Sequence, residues 1–419
     1  MRIYFSGIGG VGIGPLAQIA NDGGYEVIGS DLAESPLTHQ LKKSGVDVRI
    51  GQDGSQIARA HDSAAIDWFI YTSALPADHP ELVFARDNGI RTSKRDEFLA
   101  EFIKDHDLQL IAVAGTHGKT TTTGLFMYAL QQLGIPLSYS IGTTVSWGPS
   151  GHFDPASSIF VYECDEYDRN FLHFEPHISI ITALDYDHVD SYPTEKDYRD
   201  AFVQFLQQSN QSIMWEKDLR YLKADPQATL EAYDDLMDLG HLSLAGNHVR
   251  HNAFLVQKAL EKMIGEQTTS AQIIDAINAF PGTSRRFEKL ANNLYSDYGH
   301  HPAEIAATLQ MAKEMSDTVA LVYQPHQNVR QHEICHDYTA DVFKDADEVY
   351  WLPTYLSRED PSLAVLTPEE LSEQITNTTH IAEMNDTLWE TITQLQAKNI
   401  LVLCMGAGSI DSWVRSQLN

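Results

Sequence analysis

The stretch Ile111-Ala112-Val113-Ala114-Gly115-Thr116-His117-Gly118-Lys119-Thr120-Thr121 has the residue types and spacing for chemistry on a phosphate. An apolar run ends at Gly115, passes through Gly118-Lys119-Thr120, and leads into Leu125, Ala129 and Leu133, which recur on one helical face. Gly134 and Pro136 end that helix. A loop between a buried strand and a helix N-terminus aims free backbone N–H groups and the positive end of the helix dipole at its contents. Lys119 adds a point charge for β- and γ-phosphates, and Thr120 adds a hydroxyl for Mg²⁺, so the implied ligand is a nucleoside triphosphate, ATP. Only Thr116 and His117 stand between the two glycines, which makes this loop shorter than the general phosphate loop.

Two acidic clusters follow. The apolar run from Ile159 delivers Glu163, Asp165, Glu166 and Asp168, and the run from Ile178 to Ala183 delivers Asp185, Asp187, His188 and Asp190. Ligands of open α/β sheets bind at the C-terminal ends of strands, and hard oxygen donors beside a phosphate loop suit Mg²⁺. Nearer the start, Arg2 to Ser6 reads as a strand, Gly7, Gly9 and Gly12 as a glycine turn, and Tyr25 to Asp31 as a second strand after a helix. That pattern holds a diphosphate against the backbone, with Asp31 placed for a ribose or base. It admits a nicotinamide dinucleotide and a UDP-sugar alike.

The elements that must position these residues form three series. The chain has 419 residues, more than one core usually organises, and a formal net charge of −29. That balance argues against a nucleic-acid backbone or an anionic membrane as partner, and it makes any phosphate site local. The three cysteines, Cys164, Cys335 and Cys404, lack metal spacing and read as reduced thiols. No signal core or membrane-length run is visible, so a cytoplasmic protein is expected. Strand, turn and helix alternate from residue 2 onward, with a helix expected from Ser93 to Ile103. Charged residues at 104–107 mark one boundary, and Phe280-Pro281-Gly282 marks a second. Later strands are expected at Leu294, Val319 to Tyr323, Val349 to Leu352 and Ile400 to Cys404, the last running into Gly406-Ala407-Gly408. Residues 216–238 read as a charged, helix-like stretch. The expected fold is α/β in three domains. Residues 1–105 form a Rossmann-like domain, 106–281 a central P-loop ATPase-like sheet, and 282–419 a second Rossmann-like domain.

Gly-Thr-His-Gly-Lys-Thr-Thr resembles the phosphate loop of the Mur ligases, the ATP-dependent amino-acid-adding enzymes of peptidoglycan synthesis. Further segments resemble that family in order along the chain. They are Thr72-Ser73-Ala74, His79-Pro80-Glu81, Glu163-Cys164-Asp165-Glu166, Asp187-His188-Val189-Asp190, Gly246-Asn247-His248 with Asn252, Arg285-Arg286-Phe287-Glu288, Asp297-Tyr298-Gly299-His300-His301-Pro302, Gln324-Pro325-His326 and Gly406-Ala407-Gly408. Asp165-Glu166-Tyr167 before Asn170-Phe171-Leu172 resembles the L-alanine-adding branch, and a tyrosine after Asp-Glu also occurs in the branch that takes a tripeptide; Ser357-Arg358-Glu359 again resembles the L-alanine-adding branch.

The resemblance implies roles. Gly115, Thr116, His117, Gly118, Lys119, Thr120 and Thr121 would bind ATP together with Asn252, Arg286 and Asp297. Thr120, Glu163 and His188 would hold Mg²⁺, with Lys119, Glu163 and His188 catalytic. Gly9, Gly10, Val11, Gly12, Asp31 and Ser73 would bind UDP-N-acetylmuramate, and Tyr298, His301 and Arg330 the amino acid, L-alanine. The activity implied is amide-bond formation through an acyl phosphate, by a monomer or weak dimer. Two departures stand out: Val249 replaces an adenine-facing asparagine, and Gln327-Asn328-Val329 precedes Arg330 where the family has an aromatic-containing run. Alternatives are a ligase that takes a tripeptide acceptor and a degenerate nucleotide-binding homologue. A nicotinamide oxidoreductase would explain the first domain alone.

Overall fold

The computed structural model describes residues 1–188, 191–223, 229–357 and 359–418. Asp190 and Arg358, quoted above for their motifs, therefore lie outside the described residues, as do Val189 and the middle of the 216–238 stretch. The chain divides into two compact units, Met1–His241 with Asn252–Phe280, and Leu242–His251 with Pro281–Asn419. Among the described residues no helix is long and apolar enough to cross a membrane.

The first unit holds two sheets. In the first, β1 (Arg2–Ser6), β2 (Glu26–Asp31), β3 (Asp47–Ile50), β4 (Trp68–Tyr71) and β5 (Arg91–Lys94) are all parallel, in the order β3-β2-β1-β4-β5. In the second, the strands are β6 (Gln109–Ala114), β7 (Ser138–Ser140), β8 (Gly151–His152), β9 (Ile159–Glu163), β10 (Ile178–Ile181), β11 (Gln211–Trp215) and β12 (Leu230–Tyr233). Their order is β12-β11-β10-β6-β9-β7-β8, with only β7 and β8 antiparallel. In each sheet the strand before the glycine loop, β1 or β6, lies between two strands that come later in the chain. That is the topological switch point at which an open parallel sheet leaves a crevice.

One apolar cluster runs through both sheets, with Phe5, Trp68, Phe98, Phe102, Phe153, Phe160, Tyr162 and Phe171 buried in it. Helix Arg95–Asp105 turns Phe98, Leu99, Phe102 and Ile103 inward and joins the two sheets. Its start differs from the expected Ser93. Ser93 and Lys94 belong to β5, where they pair with Ile70 and Tyr71 of β4. The helix begins only where Glu97 reaches back to accept from the Lys94 N–H (2.8 Å). The helix-like stretch from Glu216 also differs: the helix spans Glu216–Leu222, Lys223 turns left-handed (φ +53°), and Leu230–Tyr233 pairs with β11 as the edge strand β12.

The second unit holds a sheet of β13 (Glu288–Ala291), β14 (Leu294–Asp297), β15 (Val319–Tyr323), β16 (Glu348–Trp351), β17 (Thr378–Ile381) and β18 (Leu401–Met405), in the order β13-β14-β18-β15-β16-β17. Every pairing except β13 with β14 is parallel. Apolar clusters cover both faces, one around Tyr323, Tyr338 and Trp351, the other around Leu388, Ile392 and Val414. The molecule is thus a three-domain α/β protein built on parallel sheets.

Candidate active site

The loop after β6 is held by its neighbours. Gly115 (φ +132°) has no room for a Cβ, which would lie 2.4 Å from the Thr182 hydroxyl. Thr116 N donates to Ala183 O (2.8 Å), and its hydroxyl bridges Asp185 O (2.8 Å) and the Tyr198 hydroxyl (2.6 Å). The His117 carbonyl accepts from Thr182 (2.5 Å), and its imidazole lies 3.9 Å from Asp185. Gly118 (φ +83°) caps helix Lys119–Gln132, and a Cβ there would lie 2.5 Å from the Asn252 amide. Asn252 is therefore packed against this loop.

Lys119 turns back onto its own loop. Nζ donates to Gly115 O (2.7 Å), Thr116 O (3.3 Å) and both oxygens of Glu166 (2.7 and 3.0 Å). Burial pulls the ammonium pKa down, but the Glu166 carboxylate, with Asp165 and Glu163 beyond it, outweighs burial and leaves it raised. Glu166 is fully buried; desolvation pushes its carboxyl up, and Lys119 and His188 hold it below the usual carboxylate range. Thr120 Oγ1 donates to Glu163 Oε1 (2.7 Å), and Gly142 N donates to Glu163 Oε2 (2.9 Å). The structure thus brings Lys119, Thr120 and Glu163 together. His188 (φ +59°) faces Glu166 at 3.5 Å. Burial lowers the His188 imidazole pKa, and Glu166 and Asp187 more than restore it.

Glu166 stands in an acidic motif, and nothing in the sequence assigns it a role. Its pairing with Lys119 spans 47 residues and has no local signal.

At the first glycine turn, Gly9 N donates to Asp31 Oδ2 (2.8 Å). Val11 is exposed, and a Cβ on Gly12 would lie 2.1 Å from Arg95 Nη1. Gly10 closes the turn by donating to Gly7 O (3.0 Å). Ser73 lies with Lys94 on the Asp168 carboxylate, Lys94 at 2.9 Å.

In the second unit, Asp297 at the end of β14 accepts from Phe287 N (2.8 Å) and Gly299 N (2.7 Å). Burial pushes its carboxyl up to about 6, against the pull of Arg286. Arg285 and Arg286 lie over the Tyr298 ring at 4.6 and 5.2 Å. His300 stands edge-on to Tyr298 and to His326, and His326 stacks on Tyr355 (5.7 Å). His301 is the N-cap of helix Pro302–Met315, where it accepts from Ala303 N, and Arg330 pairs with Glu333 (3.4 Å). Gln324, part of a quoted motif, accepts from Ile410 N (3.0 Å) and braces the Gly406 turn.

The chain is similar to known proteins along its length. The Mur ligase family catalytic domain matches residues 2–107, the Mur ligase middle domain 113–240, and the Mur ligase glutamate ligase domain 285–408. The UDP-N-acetylmuramate–L-alanine ligase of Porphyromonas gingivalis is 32% identical over 99% of this chain and 97% of its own length. The chain belongs to the Mur ligase family. A second curated relative of this Mur ligase, the Clostridium acetobutylicum protein of the same name, is 30% identical over 98% of the chain and 95% of its own length. Among solved structures, the UDP-N-acetylmuramate–alanine ligase of Thermotoga maritima superposes on this Mur ligase with TM-score 0.76 at 23% identity, covering 100% of this chain and 98% of its own. That likeness concerns the fold.

Proposed function

We propose that this Mur ligase joins L-alanine to the carboxylate of UDP-N-acetylmuramate at the expense of ATP. The observation that carries the reading is the phosphate loop itself, with Lys119 and Thr120 seated on carboxylates delivered by the neighbouring strand (2.7 Å each). The curated relatives named above support the two substrates, and they favour L-alanine over a peptide acceptor.

A carboxylate is a poor electrophile for an amine at neutral pH. Transfer of the γ-phosphoryl group to the carboxylate oxygen releases ADP and leaves an acyl phosphate. The amine of L-alanine then attacks the carbonyl, and a tetrahedral oxyanion collapses to the amide as phosphate departs. Charge grows on oxygen in both steps, so fixed donors at those oxygens lower the barrier. Lys119 supplies one by leaving its loop carbonyls for the phosphates, and the helix Lys119–Gln132 supplies its N-terminal N–H groups. Thr120 and Glu163, a hydroxyl and a carboxylate oxygen 2.7 Å apart, are hard oxygen donors that fit Mg²⁺ and would hold it, with His188 as a further ligand. Bound there, the ion would screen the phosphate charges. Residues 1–105 would carry the sugar nucleotide at Gly9, Gly10, Val11, Gly12, Asp31 and Ser73. Residues 106–281 would carry ATP. Residues 282–419 would bring the amino acid to Tyr298, His301 and Arg330, with Arg286 and Asp297 meeting ATP.

The test is phosphate release from ATP, Mg²⁺ and UDP-N-acetylmuramate with each amino acid in turn. L-alanine should give the highest turnover, and Lys119→Ala should reduce it by at least about 100-fold. Wild-type protein that ignores UDP-N-acetylmuramate while still holding ATP rules this function out.

A further inference from the structure

Arg95 is the first residue of the helix that joins the two sheets of the first unit. Its guanidinium is shared among three neighbours. Nε donates to Asp96 Oδ2 (3.1 Å) on its own helix, and Nη2 reaches Asp165 Oδ2 (3.4 Å) just beyond β9. Nη1 lies against the glycine turn, where the missing Cβ of Gly12 makes room for it, and it has no acceptor among the described residues. The N–H groups of Val11 and Gly12 also have no acceptor among the described residues. A largely covered cation, paired on its other side with Asp96 and Asp165, therefore lies at the same glycine turn as two backbone donors without acceptors among the described residues.

The ion pair with Asp165 is long for a charge-assisted bond, which prefers 2.7–2.9 Å. Asp165 is itself crowded by Glu166 one residue on, whose charge is committed to Lys119. An arginine anchored on Asp96, with one long contact to Asp165 and unfilled backbone donors beside it, is suited to exchange that one partner.

We propose that Arg95 is a direct ligand of the diphosphate of the sugar nucleotide, and that it gives up Asp165 to take it. This rests on the reading of the glycine turn as the UDP site. It adds a side-chain cation to a turn that otherwise offers only backbone N–H groups, and it makes Asp165 a built-in competitor for the substrate's charge. The planar fork of arginine matches two oxygens of a diphosphate, whereas a lysine supplies one point charge.

A second account would make Arg95 a latch that merely holds the two sheets together. The two accounts differ in sign. Calorimetric titration of the full chain with UDP-N-acetylmuramate and, separately, with UDP decides between them. Arg95→Met should weaken both ligands by about 10- to 100-fold, the scale of a charge-assisted hydrogen bond. Arg95→Lys should lose about 3- to 10-fold, because the charge stays and the fork goes. It also serves where Arg95→Met does not fold, as judged by its melting curve. Asp165→Asn should tighten both ligands by about threefold or more, because the competitor is gone.

Weakening by Asp165→Asn as well as by Arg95→Met would establish the latch and overturn the exchange. Unchanged affinity in both Arg95 variants would overturn it too. Wild-type protein that binds UDP through Arg95 but not UDP-N-acetylmuramate would sink the proposed function and keep this residue's role. Binding of neither ligand would sink both.

Discussion

At the scale of single residues, the site is governed by which charges are buried and what faces them. Lys119 and Glu166 form a buried pair whose members are each shifted toward the ionised form by the other. Removing one charge of such a pair strands its partner, which costs more than the pair contributes. Glu166→Gln keeps the shape but leaves the Lys119 ammonium uncompensated, and should lower stability by about 3 kcal/mol in thermal or urea unfolding. An unchanged melting curve would show that the pair is not formed in solution. Asp218 shows the opposite case. Its Oδ1 accepts from Leu184 N (3.0 Å), while Oδ2 is buried without a partner, and burial pushes the carboxyl up to about 6. A folded-state pKa above the ordinary 3.8 means stability present at low pH that is lost as pH rises through about 6. Asp218→Asn removes that cost and keeps the Oδ1 acceptor. It should stabilise the protein by about 2 kcal/mol at pH 8 and by little at pH 4, read from denaturant midpoints at the two pH values.

At the scale of elements, what the sequence discloses depends on whether the signal is contiguous. Strands β1, β6, β9, β10, β15 and β18 are apolar runs because helices or a neighbouring sheet cover both faces, and such runs stand out unaided. Edge strands β3, β5 and β17 are short and partly exposed, and their polar residues carry no period to detect. The phosphate loop is legible because glycines, lysine and threonines sit side by side. Arg95 and Glu166 are not, since their partners lie 70 and 47 residues away and only the sheet order brings them together. The acidic motifs place Glu163 beside Thr120 as their order suggests, whereas His188 faces Glu166. Hairpin β7–β8 is a further element without a sequence signal, and it packs by shape. A Cβ on Gly151 would lie 2.3 Å from Pro15 O and 2.7 Å from Pro15 Cα, backbone atoms of helix Gly14–Asp22. Backbone cannot give way as a side-chain tip can, so Gly151→Ala should push the hairpin off the helix and destabilise the protein by about 1–3 kcal/mol. Faster hydrogen exchange confined to Gly14–Asp22 and residues 138–153 would locate the damage. Exchange that rises evenly across the chain would contradict this account.

At the scale of the whole molecule, the two sheets of the first unit share an apolar cluster and are tied by polar contacts that differ in their response to pH. Lys94 with Asp168 and Arg95 with Asp165 pair permanent cations with carboxylates. Tyr162 donates to Asp96 (2.7 Å), a buried bond. The contact at the other end of the junction is titratable. Asp22 Oδ2 meets His152 Nδ1 (3.0 Å) and accepts from Phe153 N (3.1 Å), while Oδ1 accepts from Gln18 (2.7 Å). The bond to Asp22 raises the His152 imidazole above 6.5, against burial. Burial pushes the Asp22 carboxyl up, but its hydrogen bonds to His152, Phe153 and Gln18 bring it below 3.8. The histidine's contribution is complete below its ordinary pKa of 6.5 and is lost as pH rises through its raised value. The aspartate's contribution is complete above 3.8 and is lost as pH falls through its lowered value. The pair is therefore strongest from about pH 4 to pH 6.5, and it weakens toward the alkaline side without any change at Lys94 or Arg95. Both side chains are partly solvated, so the effect is on the order of 0.5–1 kcal/mol. Hydrogen exchange corrected for intrinsic rates should show helix Gly14–Asp22 and residues 151–153 losing a few-fold of protection between about pH 6 and pH 8.5. Helix Arg95–Asp105 should hold its protection over the same range. His152→Gln, which keeps a donor for Asp22 but cannot titrate, should flatten the response at those segments. A wild-type response equal to that of His152→Gln would mean that the imidazole charge plays no part in holding the two sheets together.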